Sequence, residues 1–176
     1  LTRHFPGTML HSAIKGIEAV DDGDSWLLRC GSGETWDDVV AYAVAHDMYG
    51  IENLSLIPGE VGASAVQNIG AYGREACDVI DKIEALRIAD ASPAVFRNAD
   101  CGYGYRQSRF KTEWKGAYAI THVTYRLSKT FTPHIDYGNI RDSLERRGIV
   151  SPTAADIRDA VIGIRQSKLP DPAVEG

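Results

Sequence analysis

Residues 57–73 restrict the fold of this chain more than any other part of the sequence. The segment holds a proline, four glycines and several side chains of Ala or Ser size, yet it keeps apolar residues at intervals. Glycine permits positive φ and allows a ligand to approach main-chain N–H groups closely. The composition is therefore typical of a loop around a cofactor with phosphates or a ring edge. It is equally typical of a buried turn between strands, and spacing alone does not decide between the two.

Composition excludes several classes of protein. A chain of 176 residues is long enough to bury one good core. Its net charge of −5 and its scattered basic residues argue against a nucleic-acid or membrane-surface partner, and its apolar runs are too short to span a membrane. The cysteines Cys30, Cys77 and Cys101 are odd in number and widely spaced. They are typical of reduced thiols in a cytosolic protein, and a zinc site is not expected.

Hydrophobic periodicity predicts interleaved strands and helices. Strands are expected at residues 8–14, 25–30, 82–88 and 118–127. Helices are expected from about Thr35 to between 47 and 50, over 139–147, and onward from Thr153. Thr35 and Asp38 resemble a capping box. Because the order lacks a strict βαβ rhythm, we predict an α+β fold. The last helix should bury a stripe at i, i+3, i+4 and i+7, formed by Ile157, Ala160, Val161 and Ile164.

A second concentrated segment lies at residues 101–111, where two glycines, three aromatic residues and three cations occur together. Such a loop can stack on a ligand and contact an anion. Arg106 is its foremost candidate, because a guanidinium is always charged and can grip a carboxylate with two parallel hydrogen bonds. The alternative is an aromatic loop that packs on the core with its cations in solvent, and both interpretations stay open.

The two segments together carry a resemblance. IPGxVGxSxxQNIGAYG at 57–73 and GYRxSxFK at 104–111 resemble the UDP-N-acetylenolpyruvoylglucosamine reductases, the FAD-dependent enzymes of peptidoglycan precursor synthesis. The resemblance covers nearly the whole chain. The segment around Tyr137 is similar to the subtype that closes a tyrosine loop over its substrate. Shorter matches follow in order: FxGT at 5–8, IKGIE at 14–18, GxGExW at 31–36, ENL at 52–54, DYG at 136–138 and RxxKLPDP at 165–172.

This resemblance implies a domain organisation. It places the chain in the second lobe of a two-lobed FAD-binding (PCMH/VAO-like) fold. Residues 1–130 would form the FAD-binding lobe, 131–169 an insertion with the tyrosine loop and helices, and 170–176 the start of a substrate-binding domain. The family's Gly-rich phosphate motif would precede Leu1, and its proton-donating serine and a later glutamate would follow Gly176. We therefore expect a piece of a longer enzyme that is inactive by itself and holds FAD weakly.

The resemblance also implies a reaction and a set of site residues. NADPH would reduce FAD, and hydride would then pass to the CH–CH double bond of UDP-N-acetylglucosamine enolpyruvate, giving UDP-N-acetylmuramate in the cytoplasm. A monomer without a metal is expected. Arg106 would be catalytic. Substrate would be bound by Tyr72, Tyr105, Tyr137 and Lys168. FAD would be lined by Ile57, Pro58, Gly59, Gly62, Ala63, Ser64, Val66, Gln67, Gly70 and Ile120, with Ala63 standing where some relatives carry Ser.

Two other functions remain compatible with the residues. Another FAD oxidoreductase could share the glycine-rich loop, although it would not be expected to combine Arg106 with Tyr137 and Lys168. A catalytically inactive ligand-binding module is the second alternative.

Overall fold

A computed structural model describes residues 7–168 and places a five-stranded antiparallel sheet at the centre of the molecule. Residues 170–176, the predicted start of another domain, and the matched Phe5 lie outside the described part. The strands of the sheet are β1 (Ile17–Asp22), β2 (Ser25–Gly31), β5 (Ile80–Arg87), β6 (Pro93–Arg97) and β7 (Tyr118–Ser128), and a separate hairpin comprises β3 (Gly70–Ala71) and β4 (Arg74–Glu75). The helices are α1 (Trp36–Ala45), α2 (Val61–Gln67), α3 (Ile140–Arg146) and α4 (Ala154–Gln166), with 3₁₀ turns at Glu52–Leu54, Ala76–Asp78, Asn98–Cys101 and Arg109–Lys111.

The central strand β7 organises the main hydrophobic core. It is the longest strand and pairs antiparallel with both β2 and β5 in the order β1-β2-β7-β5-β6. Its alternate residues Val123, Tyr125 and Leu127 are fully buried. The ring of Trp36 at the start of α1 meets Tyr125 edge-on at 5.5 Å, and its indole N–H donates to Leu54 O at 2.8 Å. The strands predicted from alternation at 82–88 and 118–127 are confirmed, as is the α+β class.

The predicted strand at residues 8–14 is wrong. That segment pairs with no strand, and the first strand of the sheet is β1. The segment crosses the end of β2, where the Gly33 N–H donates to Ile14 O at 3.0 Å. A Cβ on Gly31 would lie 2.4 Å from Ile14 O, and one on Gly33 would lie 2.3 Å from Ser12 O. The glycines that end β2 therefore admit a crossing main chain, which an apolar pattern cannot reveal.

Periodicity predicts no element at residues 93–97, where the structure has the edge strand β6. It begins at Pro93, which lacks the N–H that an interior strand position requires and is tolerated at an edge. Phe96 of β6 meets Phe110 edge-on at 5.5 Å and Trp114 at 4.4 Å. Of the 101–111 loop, Phe110 thus packs on the core, as one of the two interpretations of that loop expects, and it is 6 % exposed.

Helix α1 begins where its sequence predicts, but without the predicted cap. Thr35 is the N-cap residue and makes no side-chain hydrogen bond to the helix, so the capping box with Asp38 is wrong. Thr35 instead forms an isolated antiparallel bridge with Glu60 through main-chain bonds. The helix ends at Ala45, slightly before the predicted range.

Helices α3 and α4 build a second hydrophobic cluster. Thr153 caps α4 by accepting from the Asp156 N–H at 3.2 Å, and Asp156 Oδ2 accepts in return from the Thr153 N–H at 2.9 Å. The stripe predicted for α4 is confirmed as buried. Tyr72, which lies between β3 and β4, packs against the same cluster. The division between 1–130 and 131–169 stays a prediction. The buried members are Ile140, Leu144, Ile157, Ala160, Val161 and Ile164.

A part-buried ion pair joins α4 to α1. Arg158 donates to Asp37 Oδ1 at 2.6 Å and to Oδ2 at 2.9 Å. Burial alone would raise the pKa of Asp37, but hydrogen bonds from Arg158 and the Leu56 N–H, with the charges of Arg158 and Arg165, lower it below its ordinary value. Asp37, in the first turn of α1, thus ties the helical region to the sheet domain.

Within residues 7–168, none of the helices combines the length and apolar character needed to cross a bilayer.

The Asp37 pair predicts an acid-sensitive contribution to stability. Because the folded-state pKa is depressed, the stabilisation is present above the unfolded pKa of about 3.9 and is lost as pH falls through the folded value. We expect Asp37→Asn to lower the free energy of unfolding by about 1–3 kcal/mol at neutral pH. The variant should also lose less stability than wild type between about pH 5 and pH 3, since Asn does not titrate. Urea unfolding across that range measures both quantities, and equal acid slopes would contradict the assignment.

Candidate functional site

Residues 57–73 form neither a continuous loop nor a simple turn. After an extended approach, α2 occupies Val61–Gln67 and ends at Asn68, whose φ of 47° gives a left-handed C-cap. The hairpin of β3 and β4 follows, with Tyr72 at φ 49° and Gly73 at φ 77° between its strands. Positive φ at both central residues is the pattern of a type I′ turn, which suits the twist of paired strands. The small side chains therefore belong to a short helix and a tight hairpin.

The start of α2 lies directly against the end of β2. A Cβ on Gly62 would come within 3.0 Å of the Ser32 side chain, so glycine permits this approach. The Gly62 N–H donates to Ser32 O and the Val61 N–H to Glu34 O, both at 2.9 Å. These two amides are satisfied within the protein. Any ligand must meet the segment elsewhere.

The open side of the segment consists of small or polar residues. Gly59, Ala63 and Gln67 are exposed at four-residue spacing, and Pro58 is exposed beside them. Gly59 has φ 114° with nothing within 4 Å of a built Cβ, and no described residue accepts its N–H. A strip with so few side-chain atoms allows a flat ring system to approach the main chain closely. The residues present thus fit a planar cofactor such as a flavin.

Other predicted cofactor residues face the core. Ser64 is 1 % exposed, and its hydroxyl donates to Val61 O at 2.7 Å and lies 2.8 Å from the Tyr125 hydroxyl. Ile57, Val66 and Ile120 are partly buried against the main cluster. Ser64 therefore lies beneath the segment rather than on its open side, and both of its main-chain groups are hydrogen-bonded, whereas the three apolar residues can line one wall with their exposed edges.

Ile120 sits beside a bulge in the sheet. Glu84 pairs with His122 but the next residue, Ala85, pairs with Ile120, which leaves Thr121 as the extra residue of β7. Thr121 O accepts from the Ser32 N–H at 2.8 Å. Bulges redirect side chains and are common beside functional sites. Here the bulge keeps Ile120 on the core side of the sheet. It also places Ile120 next to Ser32, the residue after β2 that contacts α2.

Asn68 is a central residue of the site that sequence reasoning did not single out. It is fully buried, and its Nδ2 donates to Gly104 O at 2.9 Å and to Glu75 Oε2 at 3.0 Å. Its Oδ1 accepts from the Cys77 N–H at 3.0 Å. One side chain thereby joins the end of α2, the hairpin and the 101–111 loop. The sequence does offer one signal for this residue. An Asn follows a run of small residues, and Asn tolerates the left-handed backbone conformation that ends many helices.

The side chain of Arg106 lies against Gly70, in strand β3 of the hairpin. The residue has φ 53°, and its guanidinium donates to Asn68 O at 3.1 Å and to Gly70 O. Glu75 Oε1 is 3.7 Å away, and the guanidinium side chain is 32 % exposed. A guanidinium has five N–H donors, so donors remain for an anion in addition to the two carbonyl bonds. The structure thus brings the predicted catalytic arginine next to the predicted cofactor segment.

Two further side chains fasten the 101–111 loop to α2. Ser108 is buried, and its hydroxyl donates to Val66 O at 2.7 Å. Lys111 Nζ donates to Gln67 Oε1 at 3.0 Å and to Arg106 O at 2.7 Å. Both residues belong to the motif at 104–111, but the sequence alone predicts no role for either. Their position shows that they hold the Arg106 loop in place.

The structure also brings Tyr72 and Tyr137 together. A Cβ on Gly73 would lie 3.1 Å from Tyr137 Cβ, and one on Gly138 would lie 3.0 Å from Tyr72 Cδ1. Asn53 Nδ2 donates to Tyr72 O at 3.0 Å and to His134 O at 2.8 Å, so it secures both chain segments. The Tyr137 side chain is 63 % exposed and stands at the edge of the hairpin.

Tyr105 and Lys168 are less closely tied to the site. Tyr105 is 83 % exposed, and within the described part of the chain its ring stacks only on the neighbouring guanidinium of Arg106, at 5.1 Å. Lys168 is exposed and ends the described part of the chain. No hydrogen bond joins its side chain to the other candidates among the described residues. It follows Arg165 by one turn, and Arg165 contacts Leu56 directly before the glycine-rich segment.

The cysteines offer no reactive nucleophile to this site. All three are free. Burial raises the pKa of Cys30 to about 12 and that of Cys101 to about 11, and it also raises that of Cys77. Each therefore stays a thiol at neutral pH. Among residues 7–168, no three His, Cys, Asp or Glu side chains group as a metal site would require.

Comparison with known proteins agrees with this arrangement. The model of the FAD binding domain family matches residues 2–97, more than half of the chain. UDP-N-acetylenolpyruvoylglucosamine reductase of Porphyromonas gingivalis is 53 % identical over 98 % of this chain and 51 % of its own length. The same enzyme of Bacteroides fragilis is 48 % identical over 99 % of this chain and 52 % of its own, and that of Burkholderia lata 45 % over 99 % and 51 %. The chain thus spans about half the length of these curated relatives.

A solved structure supports the fold. The crystal structure of UDP-N-acetylenolpyruvylglucosamine reductase from Thermus caldophilus superimposes with a TM-score of 0.58 at 21 % identity, covering 81 % of this chain and 44 % of that one.

The contact of Arg106 with Gly70 gives a test of the site geometry. A Cβ at Gly70 would lie 2.5 Å from Arg106 Nη1 and 2.8 Å from the main-chain Arg74 O, which cannot move away easily. We expect Gly70→Ala to displace the guanidinium and to lower the free energy of unfolding by about 1–3 kcal/mol. Gly104→Ala is the matched control, since its Cβ would meet only Gln107 Cβ at 4.0 Å. Urea unfolding compares the variants, and equal losses would contradict the described packing.

Proposed function

We propose, from the premise that this chain belongs to the FAD binding domain family, that it forms the flavin-contacting and substrate-contacting part of a reductase. The reaction is the FAD-dependent reduction of UDP-N-acetylglucosamine enolpyruvate to UDP-N-acetylmuramate. Support comes from relatives that bear this enzyme's name at 45–53 % identity across nearly all of the chain. Because the chain spans about half of each relative, the complete activity is assigned to the full-length gene product.

One structural observation carries the proposal. Arg106 lies on the carbonyls of Asn68 and Gly70, at the end of the helix whose exposed strip fits a planar cofactor. A fixed positive charge thus stands beside the place where a ring system can lie. Reduction of a double bond conjugated to a carboxylate builds negative charge on that carboxylate, and a preorganised guanidinium stabilises such charge. The pairing of these two features fits an anionic, unsaturated substrate.

The chain's own residues bind and orient. FAD, when bound, supplies the capacity to accept hydride from a nicotinamide donor and to pass it on. The strip of Gly59, Ala63 and Gln67, with Pro58 at its start, would carry the flavin ring, and the exposed edges of Ile57, Val66 and Ile120 would support it. Gly62 and Gly70 have no side chain and would meet the cofactor at their part-exposed Cα atoms, whereas Ser64 would support the strip from the core, where its hydroxyl is engaged.

The substrate would lie on the Arg106 side of the ring. In this proposal the remaining donors of Arg106 hold the enolpyruvyl carboxylate, and the part-buried position of the guanidinium fixes its charge beside the hairpin. Tyr72 and Tyr137 meet at the hairpin and would cover the substrate from one side. Tyr105 and Lys168 would contact its outer parts, and a lysine suits the nucleotide diphosphate as a mobile point charge.

Several finer assignments belong to the same proposal. NADPH is the hydride donor. The enzyme is a monomer that works in the cytoplasm. Three free cysteines are in keeping with that compartment. Residues 1–130 would be the flavin lobe and 131–169 the insertion, in keeping with the separate hydrophobic cluster of α3 and α4.

The proposal predicts a yellow protein with a strict substrate requirement. The full-length gene product should purify with the absorption spectrum of FAD and should oxidise NADPH only when UDP-N-acetylglucosamine enolpyruvate is present. A colourless product would argue for a ligand-binding module without flavin chemistry. Turnover that is indifferent to the sugar nucleotide would point to another FAD oxidoreductase.

Arg106→Lys should separate catalysis from flavin binding. Lysine keeps the charge but loses the fork that spans Asn68 O, Gly70 O and the carboxylate. We expect kcat to fall by about 100-fold or more, as for loss of one oriented donor, while the flavin content of the purified enzyme changes little. Arg109→Lys is the control, because Arg109 pairs with Glu113 and Asp100 O away from the segment. An equal loss of flavin and of turnover would make Arg106 a structural residue only.

A further inference from the structure

The residue that leads into the glycine-rich segment has an unfavourable backbone conformation. Leu56 immediately precedes Ile57 and has φ 56°, in the left-handed region that bulky residues seldom adopt. Such conformations persist only where the surroundings impose them, and they concentrate at functional sites. Something must therefore hold the Leu56 main chain in place.

Two charged side chains hold Leu56 by both of its main-chain groups. Its N–H donates to Asp37 Oδ1 at 2.5 Å. Its carbonyl accepts from Arg165 Nε at 3.1 Å. Hydrogen bonds with one charged partner are stronger than neutral ones. The main chain is thus fixed from opposite directions one residue before the segment that fits a cofactor.

Both restraints trace back to helix α4. Arg158 orients the Asp37 carboxylate with two parallel hydrogen bonds, at 2.6 and 2.9 Å. Arg165 follows Arg158 by seven residues, or about two helical turns, so both arginines project from one face of α4. The Arg158 side chain reaches Asp37 in the first turn of α1, and the Arg165 side chain reaches Leu56 in the stretch between α1 and α2. The helix therefore controls the N–H of Leu56 through Asp37 and its carbonyl directly.

We propose that Asp37, Arg158 and Arg165 form a clamp that sets the position of residues 57–63 relative to α4. The inference rests on the proposed function, since it assumes that this segment contacts the cofactor. It makes Asp37 and Arg165 positioning residues that touch neither cofactor nor substrate. Through the clamp, the helix that leads to Lys168 and the segment that carries the flavin strip keep one fixed spacing. Weakening the clamp loosens the cofactor segment even when the helices stay packed.

A plain tie between α1 and α4 is the competing explanation, and two variants separate it from the clamp. Asp37→Asn keeps an acceptor for the Leu56 N–H but removes the charge that pairs with Arg158. The double variant Asp37→Arg/Arg158→Asp restores an ion pair between the helices but leaves the Leu56 N–H without its acceptor. Both are made in the full-length gene product. The measurements are the dissociation constant of FAD, the hydrogen exchange of the Leu56 amide and the urea midpoint.

The clamp predicts opposite behaviour of the two variants. In the double variant the Leu56 amide should exchange about tenfold faster and FAD should bind about tenfold more weakly, as expected for loss of one charge-assisted hydrogen bond, although the urea midpoint stays near that of wild type. Asp37→Asn should lower the urea midpoint further than the double variant does but weaken FAD binding less, because an acceptor for the Leu56 N–H remains. Wild-type exchange and FAD affinity in the double variant would overturn the clamp.

A second pair of variants covers the carbonyl side and any failure of the double variant to fold. Arg165→Met keeps the apolar stem and removes the donor to Leu56 O, whereas Arg165→Lys retains a donor. FAD should bind more weakly to Arg165→Met, and Arg165→Lys should recover most of that loss. Equal FAD affinity in both variants and wild type would reject the clamp. A wild-type protein that binds no FAD would instead reject the proposed function, and amide exchange at Leu56 would still report on the clamp.

Discussion

The buried side chain of Asn68 is the interaction on which the candidate site depends. Its Nδ2 and Oδ1 bind two other chain segments, the 101–111 loop at Gly104 and the end of the hairpin at Glu75 and Cys77, and the residue itself ends the segment of α2. A buried polar group of this kind is costly unless each partner is present, so the three segments must arrive together. The left-handed backbone at the same residue ends α2 and starts the hairpin. The end of α2, the hairpin and the 101–111 loop therefore depend on one another through this one residue.

A second dependence runs between the sheet domain and the helical region. Tyr72 packs into the hydrophobic cluster of α3 and α4, while Asn53 binds the main chain on both sides of that contact. At the opposite end of the glycine-rich segment, Arg165 binds Leu56 directly and Arg158 binds the Asp37 carboxylate that accepts from Leu56. The segment is therefore held at its entrance by α4 and at its hairpin by the loop that carries Tyr137. Its exposed strip is the part left without side-chain cover, which suits a surface that receives a ligand.

Sequence patterns predicted the regular elements better than the contacts between them. The α4 stripe and the alternation of β7 could be foreseen, because burial of one face imposes a period. The helix within residues 57–73 could not, since small residues on every side give no contrast between faces. The cap at Thr35 failed because a main-chain bridge to Glu60 took its place. Asp37 was unrecognisable as a tie, because Arg158 is 121 residues away in sequence.

The order of strands in the sheet also bears on how the chain folds during synthesis. Within residues 7–168, β2 and β5 are joined only through β7, whose residues 118–128 are made after those of the other strands described there. Until β7 emerges from the ribosome, β2 and β5 each have an unpaired edge that faces solvent. Sheets closed by contacts distant in sequence form slowly, and open edges invite association with other chains in the meantime. The central strand that gives the finished protein its core thus makes the nascent chain dependent on rapid completion or on protection by chaperones.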